Sequence, residues 1–150
     1  SANDPEFKVF PPHCVKGTPG ADLIPEAMTD SVLRVPNDPA AKIPEDLSSY
    51  KQILLEKQTL SIFETRHIDE LVRRLGDRPE YVVFGVVTEY CVSFAVKGLL
   101  ERGRRVAVVQ DAIETLKPEE GRNTVAEFQR LGARITTTDQ ALAALPSLRA

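Results

Sequence analysis

The segment Tyr81-Val82-Val83-Phe84-Gly85-Val86-Val87-Thr88-Glu89-Tyr90-Cys91-Val92 decides the reading of this 150-residue chain. Its first seven residues form a continuous apolar run, the pattern of a central parallel strand covered on both faces. Directly after it, Val92, Ala95, Val96, Leu99 and Leu100 line one helical face, with Lys97, Glu101 and Arg102 on the other. A short turn between a buried strand and an amphipathic helix is therefore expected, and Cys91 stands in it.

Outward from this point the alternation continues. Arg105–Val109 reads as the next strand, and a helix around Thr124, Val125, Phe128 and Leu131 ends near Gly132. Ala133–Thr136 is a weaker strand, and Asp139 is placed to cap a last helix running to Leu145. Upstream, Ile53–Leu55 reads as a short buried strand and Ser61–Phe63 as another. Ile68, Leu71, Val72 and Leu75 recur at helical spacing, with Gly76 as the stop. Strand and helix alternate repeatedly, which predicts right-handed βαβ units and an α/β fold with a parallel sheet.

The first 50 residues are different. Eight of the 11 prolines lie between Pro5 and Pro44, and no strand is evident there. The expectation is one domain over 1–150, loop-rich in 1–50, with a βα core in 51–150. A doubly wound sheet normally opens on its own buried strand, so this fold looks as though its first strand or strands are missing from the chain.

Composition narrows the class. Hydrophobic residues make up 42% and charged residues 27%, as in a globular protein. No apolar run approaches the length of a membrane span, and no signal-peptide pattern opens the chain. With 19 basic and 22 acidic residues the net charge is −3, so neither a nucleic-acid surface nor a membrane surface is expected. Cys14 and Cys91 are too few for a disulfide framework and read as free thiols in a reducing cytoplasm. The absence of a Gly-x-Gly-x-x-Gly run or phosphate loop argues against a nucleotide-binding module.

Three segments could carry chemistry. Cys91 follows a strand end and opens a helix, where ligands bind in open parallel sheets and where the dipole favours a thiolate. The alternative is that Cys91 is simply a small buried apolar residue. Lys57 follows the Ile53–Leu55 strand and would point into the same crevice, or else is a solvated loop lysine. In Glu6-Phe7-Lys8-Val9-Phe10-Pro11-Pro12-His13-Cys14-Val15, Glu6 and His13 are metal-ligand types, although two ligands do not make a metal site.

These segments together resemble the isochorismatase-like cysteine hydrolases, which include the nicotinamidases. Phe10-Pro-Pro-His-Cys-Val-Lys-Gly-Thr-Pro-Gly-Ala21 looks like a loop of that family, and Leu55-Glu-Lys-Gln-Thr59 like its lysine segment. Gly85–Val92 resembles its nucleophile turn, and Val109-Gln-Asp-Ala112 a strand end that follows it. The resemblance implies a parallel sheet with helices on both faces and an aspartate–lysine–cysteine triad, with Lys57 and Cys91 as its last two members. It also implies a cis peptide at Val86–Val87, an oxyanion hole from the N–H groups of Val87 and Cys91, and a divalent metal held in part by His13 and Glu6. Zinc is the default metal, with manganese or iron as alternatives. Phe10 matches an aromatic that flanks a planar substrate; its other reading is a core or loop-anchoring residue.

The family's aspartate and its Asp-x-His metal pair have no match here and should lie in a segment ahead of Ser1. The implied activity is cleavage of a small carboxamide such as nicotinamide, by a homo-oligomeric cytoplasmic enzyme. The segment after Lys57 lacks the glycine-and-tyrosine insertion of well-marked nicotinamidases. An isochorismatase, an N-carbamoyl amide hydrolase and a catalytically silent interaction protein therefore stay as alternatives.

Overall fold

The computed structural model describes residues 5–8 and 10–145, with the side chains of Pro5 and Glu6 outside the description. The chain divides into two compact units. One runs to Leu60 and includes Glu64–Ile68; the other comprises Ser61–Phe63 and the residues from Asp69 onward.

Single 3-10 turns at Pro5–Lys8, Pro19–Ala21 and Pro25–Ala27 punctuate the first unit, and each opens on a proline. The fixed φ of proline suits a first turn position, and its missing N–H is not needed there. Strands β1 (Val32–Val35) and β2 (Gln52–Leu55) then pair in parallel, with Val32 beside Gln52 and Val35 beside Leu55. β1 corrects the expectation that the first 50 residues hold no strand. It is only four residues long, includes the exposed Arg34 and stops at Pro36, so it leaves too little alternation to read. The Gln52 side chain secures the entry to β2: its amide donates to the Ala27 carbonyl at 2.9 Å, and its oxygen accepts from the Thr29 N–H at 3.1 Å.

The second unit holds a parallel three-stranded sheet in the order β3-β4-β5, made of Glu80–Val86, Arg105–Glu114 and Arg134–Thr136. Its helices are α1 (Ile68–Leu75), which begins at the boundary between the units, α2 (Ser93–Glu101), α3 (Pro118–Arg130) and α4 (Thr138–Ala144). Parallel strands joined by helices make this the α/β fold that the alternation implies. Gly76 and Gly132, at φ +79° and +99°, end α1 and α3 in the left-handed conformation that glycine adopts at least cost.

Coverage of the strands departs from expectation. β4, not β3, holds the continuous buried run: Val106, Ala107, Val108 and Val109 are all at most 4% exposed, while the residues from Gln110 to Glu114 are not buried. Among the described residues β3 pairs only with β4, and Val82, Phe84 and Val86 on one of its faces are 37%, 69% and 64% exposed. An apolar run signals a strand without reporting how many neighbours it has. α2 packs on β4 and α3, and α3 packs on β5. Val96 of α2 and Phe128 of α3 are fully buried.

Two local expectations are also corrected. Ser61–Phe63 is not a strand: Ile62–Glu64 forms a 3-10 turn, with the Phe63 N–H donating to the Ser61 hydroxyl at 3.2 Å. The cap of α4 is Thr137 rather than Asp139, because Thr137 and Gln140 form a reciprocal capping box. Asp111, from β4, adds a second acceptor at the same helix start, taking the Thr138 N–H at 2.8 Å. At the opposite end of the sheet Arg134 makes two hydrogen bonds to the Glu80 carboxylate, at 3.1 and 2.6 Å, across the intervening β4.

Phe128→Ala should therefore destabilise the protein by about 3–5 kcal/mol, the usual consequence of an emptied aromatic site in a core. Leu131→Ala, at the 50%-exposed C-cap of the same helix, should change stability by less than ~0.5 kcal/mol. Denaturant titration of the two variants gives the comparison, and equal losses would contradict the burial described.

Candidate active site

The turn that carries Cys91 begins with an irregularity in the ladder. β3 and β4 pair in step from Glu80 with Arg105 to Val83 with Val108, and pairing resumes at Gly85 with Ile113. Gly85 adopts φ +120°, a conformation that side chains rarely tolerate. The Val86–Val87 peptide bond that follows is cis. Thr88–Val92 then forms one wide π turn leading straight into α2. The Val87 carbonyl accepts from the Tyr90 N–H at 3.0 Å and the Val92 N–H at 3.2 Å. Cys91 is half-buried inside this turn, so the thiol sits at the carboxyl end of a strand and immediately ahead of a helix.

Two side chains tie the turn to the end of β4 and the segment that leads from it to α3. Thr88 is buried, and its hydroxyl donates to the Glu114 carbonyl at 2.8 Å. The Glu89 carboxylate accepts from the Thr115 hydroxyl at 2.7 Å, the Leu116 N–H at 3.0 Å and the Lys117 N–H at 3.3 Å. Partial burial pushes the Glu89 carboxyl upward, but the hydrogen bonds from Thr115 and the backbone outweigh it and hold the group below the ordinary glutamate range. Neither residue emerges as a site residue from the sequence. The only signal is a polar pair interrupting an apolar segment, and the partners lie 26 to 28 residues further on.

The other candidate residues lie in the first unit. Lys57 is exposed two residues beyond β2, with its ammonium donating to the Thr59 carbonyl at 2.8 Å. Its neighbour Glu56 forms an ion pair with Lys16 at 2.6 Å, which links the β2 end to the loop that holds His13. In that loop the ring of Phe10 meets the ring of His13 edge-on, with centroids 6.2 Å apart, and Phe7 does the same at 5.9 Å. His13 Nδ1 lies 2.8 Å from the Pro11 carbonyl, which can only accept, so this contact favours the proton on Nδ1. Cys14 beside it is exposed and adopts φ +48°.

His13 is of a metal-ligand type. The described residues do not complete a metal site, since no group of three or more His, Cys, Asp or Glu side chains gathers among them. The side chain of Glu6 lies outside the described residues. The structure therefore brings Val86, Val87 and Cys91 into one turn and Phe10 onto His13, and it places Lys57 and Cys91 in different units.

A close approach makes this turn sensitive to its surroundings. A Cβ added at Gly121, in the first turn of α3, would lie 2.7 Å from both Cβ and Oγ1 of Thr115, the residue that donates to Glu89. Gly121→Ala should therefore displace Thr115 and destabilise the protein by about 1–3 kcal/mol, as overpacking does. Chemical denaturation checks it, and an unchanged midpoint would show that the contact yields freely.

Comparison with known proteins gives this geometry a context. Residues 1–140 match the Isochorismatase domain family. The nicotinamidase of Escherichia coli strain K12 is 26% identical over 130 residues, covering 85% of this chain and 57% of that protein, so the chain spans little more than half of that relative's length. Among solved structures, an isochorismatase-like hydrolase from Alkaliphilus metalliredigens superposes with a TM-score of 0.69 at 25% identity, covering 96% of this chain and 68% of the other. A pyrazinamidase of Pyrococcus horikoshii, solved in complex with zinc, has a TM-score of 0.60 at 28% identity, covering 85% and 63%. The match takes in all the segments quoted above, from the His13 loop through Lys57 to the Cys91 turn. With the parallel α/β fold in common as well, the chain belongs to the isochorismatase domain family.

Proposed function

We propose that the protein is a cysteine amidohydrolase that cleaves a small carboxamide such as nicotinamide to the acid and ammonia. The observation that carries this reading is the position of Cys91, half-buried in the turn between β3 and α2 of a member of this family. The likeness to nicotinamidase and pyrazinamidase relatives supports an amide as substrate.

In this reading the Cys91 thiolate attacks the carboxamide carbon, and Lys57 is the cation assigned to the thiolate. The N–H groups of Val87 and Cys91 receive the oxyanion. The thiol proton passes to the aspartate that the family resemblance implies as the remaining member of the triad, and that acid returns it to the leaving nitrogen. Ammonia departs, because an amide anion is too basic to leave unprotonated. Water then opens the Cys91 thioester, releasing the carboxylic acid and restoring the thiol. Phe10, already stacked edge-on with His13, offers its ring to a planar substrate. His13, together with Glu6, is assigned to a divalent metal, which when bound supplies Lewis acidity and orients water or substrate.

The protein should release ammonia from one or more amides in a small-amide screen. Cys91→Ser should lower that rate by at least ~10³-fold, and Cys14→Ser should leave it within about twofold, since only one thiol belongs to the catalytic unit. Equal losses in the two variants would defeat the assignment. The metal is tested separately. His13→Ala, purified identically to the parent, should carry less than about a tenth of the parent's metal, because loss of one ligand from so small a set removes most of the affinity. Unchanged stoichiometric metal would show that His13 is not a ligand.

A further inference from the structure

We propose that Glu89 is a positioning residue for Cys91, a tether that fixes the nucleophile turn rather than a base that takes the thiol proton. The proposal rests on the reading of Cys91 as nucleophile. Glu89 is the carboxylate nearest to Cys91 in sequence, and a base is the first role such a residue suggests.

The hydrogen bonds point elsewhere. One carboxylate oxygen accepts from the Leu116 N–H and the Lys117 N–H, and the other from the Thr115 hydroxyl. Lys117 is the N-cap of α3 and Leu116 the residue before it, so Glu89 holds the backbone at the point where the chain enters the helix. Lys117 has no capping side chain of its own, and its N–H is shared between Glu89 at 3.3 Å and the Thr115 hydroxyl at 3.2 Å, so Glu89 is the side-chain acceptor for Leu116 and one of two for Lys117. A carboxylate engaged by three donors is stabilised as the anion, which opposes protonation and suits an anchor better than a proton carrier. The direction of the Glu89 shift agrees with that.

The second attachment makes the tether rigid. Thr88, one residue earlier, donates to Glu114, one residue before Thr115. Two consecutive residues of the turn thus grip the last residue of β4 and the one after it, which fixes rotation as well as position. Cys91 is two residues from Glu89 within the same π turn, so its backbone N–H and thiol inherit that orientation. The glutamine substitution separates the two roles: it keeps an acceptor oxygen for Leu116 and Lys117 and a polar group for Thr115, but has neither charge nor basicity.

The test uses a Cys14→Ser background, in which Cys91 is the sole thiol, and measures two quantities. One is the rate of Cys91 alkylation by iodoacetamide; the other is amide hydrogen exchange at Leu116 and Lys117. Glu89→Ala should slow alkylation by about tenfold or more, as misplacing a reacting group by an ångström commonly does, and should speed exchange at both amides. Glu89→Gln should stay within ~3-fold of the parent in both, since the acceptor survives. Thr115→Val should fall between them and serves in place of Glu89→Ala if that variant does not fold. The proposal is overturned if Glu89→Gln loses as much alkylation as Glu89→Ala, which would mean that the charge is what matters. It is equally overturned if Glu89→Ala leaves both quantities unchanged. A parent Cys91 no more reactive than glutathione would remove the nucleophile reading, while the exchange data would still decide whether Glu89 is the tether.

Discussion

The second unit depends on the pairing of β4 along both its edges. Past Arg105, the first half of that strand is hidden from water on both faces, and Val106–Val109 meet that requirement with four apolar side chains in a row. Their burial gives β3 and β5 a surface to align on and gives α2 a floor to lie against. It also sets where the ladder can be interrupted. Pairing runs in step only as far as Val108; when it resumes, β4 has used more residues than β3, and Glu114 comes to lie opposite Val86. That extra length brings the end of β4 level with the turn containing Cys91, within reach of Thr88 and Glu89.

The turn itself answers a different demand. A chain leaving a sheet through a π turn leaves backbone groups to be satisfied, and so does the start of the helix that follows β4. Here each satisfies the other. The Thr88 hydroxyl takes up a carbonyl of β4, and the Glu89 carboxylate takes up the Leu116 N–H and shares the Lys117 N–H with the Thr115 hydroxyl. Thr88 and Glu89, two of the polar side chains beside Cys91, are thus engaged in holding the backbone.

How much of this could be read from the sequence follows from the range of each interaction. β3, α2, β4 and α3 were legible because their apolar patterns are long, and so was the position of Cys91 between a strand and a helix. β1 was not, because four residues ending at a proline carry no measurable period. The cap of α4 was written in the sequence as Thr137 followed three residues later by Gln140, but the more obvious Asp139 drew attention from it. Coverage of β3 was illegible in principle, since Val82, Phe84 and Val86 would read the same on either kind of strand. The partners of Thr88 and Glu89 were illegible for another reason: they depend on where β4 ends relative to β3, and no local pattern encodes that offset.

The bond between Glu80 and Arg134 has a consequence for how the sheet finds its alignment. Both residues open their strands, on either side of β4, and the two hydrogen bonds between them span the strand that separates them. Successive side chains on a strand point to opposite faces, so sliding β3 or β5 by a single residue would send one partner to the wrong side and leave the other unmatched. An exposed pair of this kind adds little to stability. It works instead as an alignment mark at the amino-terminal edge, so that the opposite edge, where the ladder shifts and Cys91 sits, can depart from regularity without the strands losing their place.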